Sequence, residues 1–111
     1  MEITTTRLKR CDMIALKGRF DSSTAPDLEK ALRVSTDTGA FRIVVDMGEV
    51  EYFGSAAIRA LVLAYKECRR FNRGDVRLAR VPERIRHVLD LAGIAPLIQM
   101  YDDPVLAVGS F

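Results

Sequence analysis

The chain has no tryptophan, one histidine and two cysteines among its 111 residues, and each shortage removes a class of chemistry. His87 is the only imidazole, so Ser/His catalysis would rest on it alone. It follows Arg84 and Arg86 in a helical stretch, where it reads as solvated. Cys11 and Cys68 form neither a C-x-x-C pair nor the four-ligand spacing of a zinc site. They read as buried thiols, and the expectation is a reducing, cytoplasmic setting with no metal centre. Every apolar run is broken well short of the ~20 residues that cross a bilayer, and MEITTTRLKR lacks the apolar core of a signal peptide. The expectation is therefore a soluble protein with no membrane insertion. Excess charge of one sign is missing too: 17 basic and 15 acidic side chains leave +2, far from the balance of a dedicated nucleic-acid binder.

What is present alternates between strand-like and helix-like segments. Residues 2 to 8 and 13 to 17 carry β-branched and apolar residues, and the polar KRCD between them suits a hairpin. Thr24 as N-cap, Pro26 in the first turn and Asp27 three residues after Thr24 predict a first helix over about 25–36, ended by Thr38 and Gly39. FRIVVDM then reads as a central strand, apolar on both faces and ending near Asp46. Ala57, Leu61, Ala64 and Cys68 form the stripe of a second helix, widened by Ile58, Val62 and Tyr65. DVRLARV reads as a fourth strand, with Val76, Leu78 and Arg80 alternating. Pro82 opens a third helix carrying Ile85, Val88, Leu89 and Ala92, closed by Gly93. PLIQMY reads as a last short strand, and Asp-Asp-Pro starts a final helix. The whole chain, 1–111, is expected to be one α/β domain: a mixed sheet of four to five strands with about four helices.

Few of the chemical motifs survive inspection. The hydrolase elbow needs Gly two residues to either side of its serine, whereas FGSAA has Gly54 directly before Ser55 and Ala57 two after it. GRFDSSTA and GSAAIR lack the glycine spacing that wraps a diphosphate, so no nucleotide or other cofactor is indicated. Asp46 reads as a strand-end aspartate entering a turn. Arg69, Arg70, Arg73, Arg77, Arg80, Arg84 and Arg86 bias the second half toward positive charge, and strand and helix geometry would scatter them over a solvated surface.

The start of the second helix holds the most chemistry. Ser55 can act as its N-cap. Alternatively, or in addition, it can carry a phosphate, since the backbone N–H groups of Ala56, Ala57 and Ile58 are expected to be unpaired and the helix dipole favours an anion there.

Three phrases carry a resemblance: GRFDSSTAPDLEKAL, RIVVDMGEVEYFGSAAIRALVLAYK and RIRHVLDLAGIAPLIQMYDD. In order and spacing they resemble the STAS domain family, specifically bacterial anti-sigma factor antagonists, over nearly the whole chain. The resemblance implies a non-enzymatic switch whose unphosphorylated form binds a kinase-type anti-sigma factor, a histidine-kinase-like ATPase. It also implies that phosphorylation of the serine at Ser55 cancels that binding. Asp21 matches the aspartate of the family's first-helix loop, and Ser22, Ser23 and Thr24 occupy its contact loop. The implied partner face joins that loop to the start of the second helix, Gly54, Ala56, Ala57 and Arg59, on a monomer or weak dimer. The family's Asp-Ser-Ser-Gly is Gly54-Ser55-Ala56-Ala57 here, so the serine is kept while the aspartate's charge and hydrogen-bond acceptor are lost. Without phosphoregulation, the alternative is an interaction subunit of another signalling complex or of a lipid-transport ATPase.

Overall fold

The computed structural model describes residues 1–111. Its elements are β1 (Glu2–Arg7), β2 (Asp12–Phe20), α1 (Ala25–Asp37), β3 (Arg42–Phe53), α2 (Ser55–Arg69), a 3₁₀ turn (Arg70–Asn72), β4 (Asp75–Ala79), α3 (Glu83–Leu91), β5 (Met100–Tyr101) and α4 (Pro104–Gly109). The sheet order is β1-β2-β3-β4-β5, antiparallel between β1 and β2 and parallel elsewhere. This is the mixed α/β domain that the alternation of segments predicts.

Because each parallel strand joins the outer edge of the one before, right-handed crossovers place α1, α2 and α3 on the same face of the sheet. The core lies between them: Ile14, Ile43, Val45, Met47 and Leu78 of the sheet meet Leu28, Leu61 and Leu89 of the helices, all fully buried. The other face is covered by α4 alone, where Ala107 packs with Cys11, Val44 and Ala79.

Two boundaries differ from the expected ones. β3 continues past Asp46 to Phe53 because register shifts between Ala15 and Lys17 and between Gly18 and Arg19 absorb the polar Gly48-Glu49 and let the chain stay beside β2. At the other edge, β5 keeps only two residues. Ile98 is buried in the turn before it and Leu97 is half exposed. Val88 and Ala92 are likewise exposed, so the buried stripe of α3 is Ile85 and Leu89. Arg80 lies just beyond β4 with a left-handed φ of 52°. Both cysteines are free and buried; burial pushes the Cys68 thiol up to about 12, so it is a packing group rather than a nucleophile. No helix is long and apolar enough to cross a membrane.

Candidate functional site

β2 and β3 end side by side, and their ends bring two loops together. Phe20 pairs with Phe53 in register, their rings meet at 6.2 Å, and the Gly54 N–H donates to the Phe20 carbonyl at 2.9 Å. The chain then leaves β2 through Asp21 and leaves β3 through Gly54. The two loops are thereby neighbours at the C-terminal edge of a parallel sheet, a location where α/β folds commonly bind ligands and partners.

The first loop is tied by its own side chains. The Asp21 carboxylate accepts from the Ser23 N–H at 3.0 Å, the Ser23 hydroxyl at 2.7 Å and the Thr24 N–H at 3.3 Å. Thr24 Oγ1 accepts in return from the Asp21 N–H at 2.9 Å and donates to the Arg19 carbonyl at 3.0 Å. The Ala25 N–H already reaches the Asp21 carbonyl at 2.8 Å. Asp21 therefore caps α1 and Thr24 reciprocates, one turn earlier than the expected Thr24–Asp27 box, and the Thr24 side chain makes no cap bond of its own. The Ser23 hydroxyl and N–H bonds hold the Asp21 carboxyl below its usual range.

The second loop also differs from expectation. The N-cap of α2 is Gly54, extended at φ −85° and ψ 179°, and Ser55 is the first helical residue. The Ile58 N–H is taken by the Gly54 carbonyl at 3.0 Å, which leaves Ala56 and Ala57 as the unpaired donors of the two alanines and isoleucine named from sequence. Ser55 is exposed and its hydroxyl makes no hydrogen bond within the chain, so it does not act as a cap.

A cleft of about 310 Å³ joins the two helix starts, lined by Ser22, Ala25, Pro26, Glu29, Ser55, Ala56 and Arg59. Ser22, Ser55 and Arg59 are exposed around it, and Ala56 is half-buried. Glu29 is paired with Arg33, whereas Arg59, one turn after Ser55, has no acidic partner. Asp21, Ser23 and Thr24 hold the loop's shape and do not line the cleft. Gly54 and Ala57 are buried. Ala57 lies in the same core stripe as Leu61 and Ala64 and offers no side-chain surface to a partner.

Sequence reasoning missed four supports of this edge. The Tyr52 ring folds back over Gly54: a Cβ on Gly54 would come within 3.0 Å of Tyr52 Cε2 and 3.1 Å of its hydroxyl. The Arg19 guanidinium packs on that ring, 4.7 Å from its centroid. Arg84 reaches back from α3 to donate to the Glu51 carbonyl at 2.6 Å. The fourth support is Asp46, which is no turn residue: it is buried on the α4 face and accepts two bonds from Arg80, at 2.9 and 2.8 Å.

Comparison with known proteins is consistent from end to end. The STAS domain family matches residues 2–107. BtrV of Bordetella bronchiseptica, named as a candidate anti-sigma factor antagonist, is 26% identical over 111 residues, spanning 100% of this chain and 95% of its own. The crystal structure of a candidate anti-sigma factor antagonist from Thermotoga maritima superposes with a TM-score of 0.89 at 16% identity, covering 97% of this chain and 92% of that one. The Bacillus cell-fate determinant SpoIIAA in its phosphorylated form superposes with a TM-score of 0.78 at 15% identity, covering 98% of each chain.

Proposed function

The chain belongs to the STAS domain family, and from that membership we propose that it is an anti-sigma factor antagonist, a non-enzymatic protein that works by binding. Its partner in this reading is a kinase-type anti-sigma factor of the histidine-kinase-like ATPase class, and Ser55 is the residue whose phosphorylation ends the complex. One observation carries the proposal. The exposed Ser55 hydroxyl, free of any cap bond, stands at the first position of α2 on a cleft shared with the Asp21–Thr24 loop.

The mechanism follows from charge at that position. A phosphate brings about −1.5 to −2 charges at neutral pH, and the start of α2, with the free N–H groups of Ala56 and Ala57, accommodates them. The domain itself therefore stays folded. A partner packed over Ala56 and the Ser22 loop would instead have to desolvate that dianion, which costs on the order of several kcal/mol when the charge is unpaired. Arg59 can pair with the phosphate from within the chain, but only by leaving whatever contact it makes with the partner.

Isothermal calorimetry with the cognate anti-sigma factor tests this. Ser55→Asp should bind at least about tenfold more weakly than wild type at an unchanged Tm, while Ser55→Ala keeps affinity. Intact mass after incubation with partner and ATP should show one added phosphate on the wild-type protein and none on Ser55→Ala. Equal binding by Ser55→Asp would refute the assignment. The Tyr52 ring in the space of the family's aspartate favours a second reading, a STAS interaction subunit of another signalling complex or of a lipid-transport ATPase without phosphoregulation. Weak binding by Ser55→Asp with no phosphate ever appearing on the wild type would select it.

A further inference from the structure

The pole of the domain opposite Ser55, where β2, β3 and β4 begin and α2 ends, concentrates positive charge that the site above does not use. A cleft of about 330 Å³ there is lined by Arg7, Lys9, Arg10, Arg42 and Arg73, with Phe41 among them. Of the acids at this pole, Asp12, Asp75 and Glu67 are already engaged, while Asp37 at the end of α1 has no cationic partner. Asp12 is buried and takes Arg7 at 3.1 Å and the Ser35 hydroxyl at 2.7 Å. Asp75 is buried and takes Arg77 at 3.1 Å, with Arg69 at 3.9 Å, and Glu67 takes Arg73 at 2.8 Å. Lys9, Arg10, Arg42 and Arg70 have no acidic partner.

An aromatic side chain stands beside these cations in a costly conformation. Phe71 is 79% exposed, and it and Asn72 both adopt left-handed backbone, at φ 57° and 56°. A bulky residue rarely holds that conformation, and where one does, the strain points to function. The turn leads into Gly74, which lies so close to Phe41 that a Cβ there would be 1.9 Å from its carbonyl oxygen. Arg70 lies 4.9 Å from the Phe71 ring centroid, and Arg73 lies 3.8 Å from that of Phe41. Cationic and aromatic groups thus alternate from Arg70 through Phe71 and Arg73 to Phe41, and the cleft joins Phe41 and Arg73 to Arg42, Lys9 and Arg10.

We propose that this pole is a second docking surface, for an acidic segment of a partner protein, with Phe71 as its apolar anchor and Lys9, Arg10, Arg42 and Arg70 as its carboxylate donors. Arginine forks pair carboxylates bidentately, and an aromatic anchor ringed by polar groups is the usual centre of a protein interface. A compact cluster around one cleft, on a domain of net charge +2, suits a short peptide better than a duplex, which needs a long basic track. A single exposed phenylalanine, with no amphipathic helix beside it, is too little to seat on a bilayer. The 15 residues of α2 separate this pole from Ser55 by about 22 Å, so both surfaces can be occupied at once.

The test is fluorescence anisotropy of the full chain with a labelled short peptide rich in glutamate and aspartate around one central leucine. The controls are the glutamine/asparagine counterpart of that peptide, a single-stranded oligonucleotide of equal charge, and phosphatidylglycerol vesicles. The acidic peptide should bind at least about tenfold more tightly than its neutral counterpart, and more weakly as salt rises. The pair Arg42→Ala/Arg70→Ala and the single Phe71→Ser should each lose that binding at an unchanged Tm, while Ser55→Asp keeps it. Its persistence in Ser55→Asp separates this surface from the switch. No preference for the acidic peptide, undiminished binding by the variants, or tighter binding to the oligonucleotide or vesicles would overturn the proposal.

Discussion

Replacing Arg80 by alanine should cost about 2 kcal/mol, a value set by how the Asp46–Arg80 pair is buried. Asp46 is 7% exposed and holds two guanidinium bonds and the Gly48 N–H at 3.1 Å. Breaking a fully buried pair costs about 3–5 kcal/mol, and an exposed pair is worth about 0–1. The Arg80 side chain is 47% exposed, so water can partly resolvate the stranded carboxylate, and the loss falls between those limits. For a domain of this size that is a fall in Tm of roughly 8 °C.

Two further variants separate the pair from the backbone beneath it. Arg80 sits at a φ of 52°, which every L-residue pays for, so Arg80→Gly should recover about 0.5–1 kcal/mol relative to Arg80→Ala. Gly48→Ala would set a Cβ 2.6 Å from the Arg80 guanidinium carbon, forcing the side chain off Asp46. It should therefore destabilise by about 1–2 kcal/mol alone and add almost nothing to Arg80→Ala. Urea unfolding monitored by circular dichroism gives all four values. An Arg80→Ala protein as stable as wild type, or strict additivity of Gly48→Ala with Arg80→Ala, would refute the reasoning.

At Gly54, aspartate is a better helix cap than glycine by a few tenths of a kcal/mol, but its Cβ would press on the Tyr52 ring. Gly54→Asp should therefore raise the Tm of a Tyr52→Ala protein and leave the wild-type Tm level or lower; a rise in both would clear Tyr52 of any role. Asp21, whose folded pKa lies below its usual value, holds its loop above the ordinary carboxylate pKa and releases it as pH falls through the lowered one. A carboxyl NMR titration should find that low value, with Ser23→Ala bringing it back up because the Ser23 hydroxyl is its largest cause. An unmoved pKa would place the cause elsewhere.

The layered architecture was legible because its signals are periodic. The Ala57/Leu61/Ala64/Cys68 stripe and the apolar run ending at Val45 predict a buried helix face and a central strand with no knowledge of their neighbours. The errors fall where a local signal yields to a tertiary one. Thr24 and Asp27 form a good capping box on paper, but the box one turn earlier wins because Asp21 also collects the Ser23 hydroxyl. Asp46 reads as a strand-end residue, since its partner lies 34 positions away and bends into place only through a left-handed residue. Ser55 stands out in the sequence because a serine between a strand and a helix is conspicuous; the Tyr52 ring over its neighbour has no sequence signature. Among the arginines, Arg77, Arg80 and Arg84 are indeed dispersed onto separate partners, but Arg70 and Arg73 meet Arg42 at one pole, a convergence that only the sheet order creates.

That sheet order also bears on how the chain is assembled. Since β1 to β5 stand in the sheet as they stand in the sequence, no strand has to be inserted between two that have already paired. Each new strand emerging from a ribosome meets an open edge left by the last, and each crossover helix can settle on the growing layer before the next begins. By the time Arg69 is made, the Asp21–Thr24 loop and the start of α2 both have their supporting strands. The stretch still to come completes the remaining sheet edge and ends with α4, which alone roofs Val44 and Ala79. A chain stalled before Pro104 would thus leave Val44 and Ala79 uncovered while the strands that lead into Asp21 and Gly54 were already in place.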